Sequence, residues 1–208
     1  MQQIVPFKST DDALVILDNG GHFFNLATKA NDGIVTKAEL GKVAGVYADK
    51  QQMSVFLSMS VLDLTPVARE QVLYSLSPEL KTAFEQYYPI FLTPAQAATQ
   101  AEVSSSAVMT GVPRRIDAKS EFKGFIMIPI FAGSVMTMSM IPIIDRYDVY
   151  EIYDEQTSDT FFVAHTHGKE KLPETKLQLG GVIKEFKPNK ADGAGYVKFL
   201  EAFYYREL

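Results

Sequence analysis

The apolar positions of this chain change period near its middle. Up to about residue 100 they recur at helical spacing, and beyond about residue 122 they alternate or run together as strands do. Ser9 or Thr10 stands where it can cap a helix entering at Asp11-Asp12, where early acids suit the positive end of the helix dipole. Leu14, Leu17, Phe24 and Ala27 continue a helical stripe that Gly20-Gly21 weakens. The spacing predicts a second helix from Lys37 to about Tyr47 and a third over residues 50 to 62, with Met53, Phe56, Leu57 and Leu62 inward. Thr65-Pro66, Ser77-Pro78 and Thr93-Pro94 each set a capping hydroxyl before proline at a first helical position. Short antiparallel helices of this kind assemble as a small bundle.

The small polar run 95 to 106, AQAATQAEVSSS, reads as a linker. Strands are expected at Phe122 to Phe131, Val135 to Ile144, Tyr147 to Tyr153, Thr160 to Thr166 and Leu177 to Phe186. Phe125 to Ile144 is twenty residues without a charge, long enough to cross a bilayer. Pro129, Pro142, a central Gly133-Ser134 and the alternation of Met136, Met138 and Met140 with Thr137 and Ser139 argue instead for two strands and a turn. Gly180-Gly181 marks a bulge or a barrel corner. Ala194 to Glu207 reads as a closing helix with Val197, Leu200 and Tyr204 on one stripe. The expected fold is α+β: a helical domain over residues 1 to 100, then a five-stranded antiparallel, OB-like β-barrel over 107 to 208 ending in that helix.

Composition narrows the function. The net charge of −5 disfavours attraction of the whole chain to nucleic acid or anionic lipid. With no cysteine there is no disulfide, thiolate metal site or thiol nucleophile. MQQIVPFKSTDDALVIL lacks the outline of a secretory leader, so a cytoplasmic protein without a membrane span is expected. Three histidines and no G-x-S-x-G elbow make a catalytic triad hard to build, and the expectation leans away from an enzyme.

Phe24 to Leu40, FNLATKANDGIVTKAEL, resembles one unit of the EF-hand family. With Gly33 at the sixth loop position, Asp32 falls at the fifth, Thr36 at the ninth and Glu39 at the twelfth, where oxygen ligands belong. Thr28 and Ala30 replace the carboxylates or amides of positions one and three. The resemblance implies calcium on Asp32, Thr36 and Glu39, the one cofactor in view, held weakly because ligand charge sets affinity. Thr36-x-x-Glu39 is equally a capping box, and Asp32-Gly33 an ordinary turn.

Other patterns offer chemistry. His165 and His167 lie two apart on a strand and could approach one metal, with Glu170 or His22 as a third ligand. From His165 to Lys190 six lysines face three acids beside several aromatics, and Lys169, Lys171, Lys176 and Lys184 could line a nucleic-acid groove. Met136, Met138, Met140 and Tyr150 could form an adaptable partner-binding surface, or one wall of the core. The favoured expectation is non-catalytic recognition of a protein or small ligand by the β-domain or the domain junction. A nucleic-acid-binding barrel and a weakly calcium- or metal-dependent protein are the alternatives.

Overall fold

The computed structural model describes residues 1–21, 28–116, 124–132, 135–143, 147–167, 171–188 and 195–208. The chain is α+β and divides into two compact units, residues 3–90 and residues 91–208 together with 1–2. A two-residue strand, β1 (Gln2–Gln3), precedes the helices.

The first unit holds α1 (Thr10–Leu17), α2 (Lys37–Ala44), α3 (Lys50–Ser60), α4 (Pro66–Tyr74) and α5 (Pro78–Gln86). Helix α1 packs on α2 and α4, and α3 packs on α2 and α5. Helix α3 is the innermost element, buried from Met53 to Ser60. Ser54 and Ser60 are tolerated there because they donate to the helix's own carbonyls of Lys50 and Phe56, each at 2.8 Å. The start signals act as the residue types require. Ser9 accepts from Asp12 N at 3.1 Å, and Thr65 from Ala68 N at 3.3 Å. Ser77 is the exception, since its side chain makes no cap bond to α5.

Strand β2 (Ile90–Leu92) crosses the division between the units. The expected linker carries α6 (Pro94–Gln100), closed by a capping box between Thr93 and Gln96. Its small residues serve close packing, since Ala97 and Ala101 are wholly buried in the core of the β-unit. A strand without an expected counterpart follows, β3 (Ser106–Arg115). Then come β4 (Gly124–Ala132), β5 (Val135–Pro142), β6 (Tyr147–Tyr153), β7 (Thr160–Thr166), β8 (Leu177–Pro188) and β9 (Val197–Glu207). The expected closing helix is thus a strand.

The uncharged run forms the antiparallel hairpin β4–β5, in register from Phe125↔Pro142 to Ala132↔Val135. Its expected turn, Gly133-Ser134, lies outside the described residues. Among the described residues no helix is long and apolar enough to cross a membrane.

Five strands close on themselves. β3 pairs antiparallel with β6 and β8, β6 with β7, and β8 with β9, while β9 returns along β7 in parallel. The hairpin is attached to this ring at β8, through Gly124↔Pro188 and Phe125↔Lys187. Met109, Tyr150, Ile152, Val163, Leu179 and Leu200 fill one face of the sheet. Ile143, Tyr147, Val149, Ala164, Phe186 and Phe199 form a second cluster on the other.

Strand β9 is buried on both faces, which explains the wrong period. Phe199 joins one cluster, while Leu200 and Ala202 join the other. With apolar residues on both faces, its Val197, Leu200 and Tyr204 also satisfy a helical stripe. The register shift of β8 against β9 falls between Gly180 and Gly181, as the glycine pair suggests. A Cβ at Gly181 would stand 2.0 Å from the carbonyl oxygen of Glu201, so only glycine lets the two backbones approach this closely.

Candidate functional site

Among the described residues between α1 and α2, Asp18, Thr36 and Glu39 are joined to the surrounding backbone by a cage of hydrogen bonds. Asp18, at the end of α1, accepts from Asn31 N through its carbonyl (3.1 Å) and from Gly33 N through Oδ2 (2.7 Å). Glu39 is wholly buried. Its Oε1 accepts from Gly20 N at 2.8 Å, and its Oε2 from both the amide and the hydroxyl of Thr36, each at 2.8 Å. The Thr36 oxygen in turn accepts from Glu39 N at 3.4 Å. Asp32 is exposed and accepts from Ile34 N at 3.0 Å, as an Asx turn does. Thr36 and Glu39 therefore spend their polar atoms on the backbone and on each other. A carboxylate committed to three donors is ill placed to chelate calcium as the family pattern requires.

That cage sets the loop against a neighbour. Val35 N donates to Ser75 O and Ser77 N donates to Val35 O, both at 2.8 Å, making a parallel bridge between Val35 and Leu76. The second segment, Ser75-Leu76-Ser77, has no carboxylate of its own. The pairing is a structural link between two helix starts. Phe24, the aromatic of the family pattern, lies outside the described residues.

The histidine pair separates at the end of β7. His165 is 2% exposed and stacks on Tyr150, with ring centroids 5.5 Å apart. Its Nδ1 lies 2.9 Å from Thr166 O. A carbonyl only accepts, so Nδ1 carries the proton and Nε2 is left as a buried acceptor without a partner. Burial pushes the His165 pKa below its ordinary value, against the opposing pull of the Thr166 carbonyl and Asp148. His167 lies beyond the strand, half exposed, with Nδ1 3.4 Å from Asp148. Asp148 also receives Arg115 at 3.1 Å. Burial raises the Asp148 carboxyl, but the bond from His167 and the charges of His167, His165 and Arg115 outweigh it and hold it below the ordinary range. Among the described residues no group of three or more His, Asp or Glu side chains stands where it could hold a metal ion. Glu170 and His22, the suggested third ligands, lie outside those residues, as does Lys169.

Tyr150 corrects an expectation. It was expected at a partner-binding surface, but it is 2% exposed and sits in the core. Its hydroxyl accepts from Leu172 N at 3.3 Å, and burial pushes its pKa up against that bond. The alternation of β6 sends Asp148, Tyr150 and Ile152 to one side of the sheet. Met140 is exposed on β5, and Met136 and Met138 occupy the same strand. Of the lysines, Lys171 is exposed. Lys176 pairs with Glu155 at 3.2 Å, and Lys184 with Glu201 at 2.5 Å. Glu201 is buried and also accepts from the Tyr147 hydroxyl at 2.5 Å.

Asp148, Arg115, Asp18 and Glu201 carry the polar structure, and none of them stands in a sequence motif. Their partners stand on other strands, as with Arg115 and Asp148 or Tyr147 and Glu201, or, for Asp18, across a loop. The Asp18-Asn19-Gly20 turn signature after α1 is the one local signal among them. No family model matches this chain, and no curated protein is significantly similar to it.

Proposed function

We propose that this chain is a non-catalytic recognition protein whose β-unit binds a protein partner at the β4–β5 hairpin. Taken in chain order and leaving out the hairpin, the ring strands pair first to second, second to third, third to fifth, fifth to fourth and fourth to first. This order supports reading the ring as an OB-like Greek-key barrel. Such barrels meet ligands on their second and third strands and on the loop between first and second. Here that connection is where β4 and β5 are inserted.

The observation that carries the reading is the edge formed by β5. It ends the strand order, and among the described residues it pairs with β4 alone. Met140 is 53% exposed on it. A two-stranded ribbon is marginal in water, and an open edge offers backbone donors and acceptors to an added strand. Tyr147 and Val149 of β6 are buried and offer no contact surface of their own. Two acids of the β-unit are occupied: Asp148 by Arg115 and His167, Glu201 by Lys184 and Tyr147. That pattern supports recognition over acid–base catalysis.

The test is capture of a partner by the immobilised full chain, with Met140→Glu as the variant. Wild type should retain a partner in stoichiometric amount, and the variant should lose it while keeping its fold. Equal capture by both would overturn the reading. Nucleic acid is the second reading, favoured by the OB-like order and exposed Lys171. It requires oligonucleotide binding that falls steeply with salt and weakens in Lys171→Glu.

A further inference from the structure

Residues Val135 to Ile141 of β5 read nearly the same in both directions from Met138. Val135 answers Ile141, Met136 answers Met140, and Thr137 answers Ser139, so each residue has a chemical equal at the same distance from the centre. Two identical strands paired antiparallel on a two-fold axis set residue i opposite j and j opposite i. With the axis at Met138, methionine falls opposite methionine, hydroxyl opposite hydroxyl, and branched aliphatics close both ends. Apolar pairs and Thr–Ser pairs directly across a ladder are favourable, whereas like charges there are not. No position of this run is charged.

The edge is placed for such a pairing. Among the described residues β5 bonds to β4 alone, and β4 meets β8 at Gly124↔Pro188 and Phe125↔Lys187. From Ile126↔Ile141 to Ala132↔Val135 the ribbon is paired within itself, and two strands alone are marginal in water. Monomers blunt an open edge with lysine, proline or a bulge. β5 has only Pro142, just beyond the mirrored run, and its register with β4 is unbroken. Positions that would meet differ by an even number of residues, so their backbone donors and acceptors lie on one side of the strand, as an antiparallel ladder needs.

We infer that the occupant of this edge is a second copy of the chain, with β5 pairing antiparallel to its own counterpart across Met138 and joining two ribbons into one continuous sheet. The inference rests on the reading of the β4–β5 hairpin as the binding surface and names its partner. A run that mirrors itself is already complementary to its own copy, whereas binding an unrelated strand calls for no mirror symmetry.

Sedimentation velocity of the full chain between about 1 and 100 µM should show a dimer whose fraction rises with concentration. Met138→Lys and Met138→Glu each set like charges opposite one another on the axis, and each should remain monomeric. Mixed in equal amounts, they should restore the dimer. An independent measurement is a disulfide trap, since the wild-type chain has no cysteine. Directly opposed Cα atoms lie about 4.5–5.5 Å apart, so Met138→Cys should cross-link to itself under mild oxidation. Met136→Cys should not cross-link alone, but should do so when mixed with Met140→Cys. Should the charge variants not fold, the cross-links decide. A wild-type chain that stays monomeric while Met138→Cys fails to cross-link overturns the inference. If that monomer still captures another protein, and Met140→Glu loses it, the hairpin keeps its role with a different occupant. If it captures nothing, both readings fall. A dimer that survives in each charge variant unmixed also overturns the pairing.

Discussion

Replacing Glu39 by alanine should unfold the helical unit far more readily than any loss of a bound ion could explain. The substitution removes a wholly buried carboxylate and strands three donors, the amides of Gly20 and Thr36 and the Thr36 hydroxyl. Each buried donor left unsatisfied costs about 1–3 kcal/mol, and water entering the gap recovers part of it. The net loss should be about 3–5 kcal/mol, a large share of the roughly 5–15 kcal/mol that holds a domain together. Glu39→Gln keeps an acceptor for Gly20 N but turns an amide donor toward Thr36, and should cost about 2 kcal/mol. Urea unfolding followed by circular dichroism at 222 nm reads both, as a lowered midpoint at unchanged slope. The control is Glu79→Ala, which removes the exposed partner of Lys50 (2.9 Å) and should cost no more than about 0.5 kcal/mol. All three are measured with calcium chelated. A loss below about 1 kcal/mol for Glu39→Ala would show that the carboxylate does not hold the loop, and the cage would have to be abandoned.

Further expectations concern the β-unit. Gly181→Ala would force a methyl to within 2.0 Å of Glu201 O and should lower stability by more than about 2 kcal/mol, read from its denaturation midpoint. Burial holds His165 below its ordinary pKa of 6.5, so between that value and its folded one the unfolded chain binds the extra proton. Stability should therefore fall as pH drops below 6.5, with Asp148, His167 and the Met1 amino group as the facing charges. His165→Phe should flatten that loss, and a wild-type melting temperature equal at pH 7.5 and 5 would contradict it. The Asp148 carboxyl is held below 3.8, so its contribution is complete above that value and disappears as pH falls through the folded one. Asp148→Asn should remove this second, more acidic loss from the stability profile. Met140→Glu changes an exposed side chain and should shift stability by no more than about 0.5 kcal/mol, which makes it a clean probe of binding.

Local order was legible wherever a few neighbouring residues decide it. Alternation bounded by turn residues specifies β6 and β7 to the residue, and prolines with a central turn signal divide the uncharged run into β4 and β5. The Thr36-x-x-Glu39 spacing reads as a capping box, and a capping box forms. Tertiary structure decided what rests on distant partners. β9 has a stripe compatible with either period, and only its fit between β7 and β8 makes it a strand. No strand is expected from the sequence over β3, and its pairing with β6 and β8 makes it one. The candidate sites follow the same division. The chain alone places Asp32, Glu39, His165 and the lysines along a line. It does not show that Glu39 faces backbone amides, that His165 enters the core, or that Lys184 meets Glu201. Those outcomes depend on which surfaces meet when the chain closes, because burial and pairing are properties of neighbours in space, whereas periodicity is a property of neighbours in sequence.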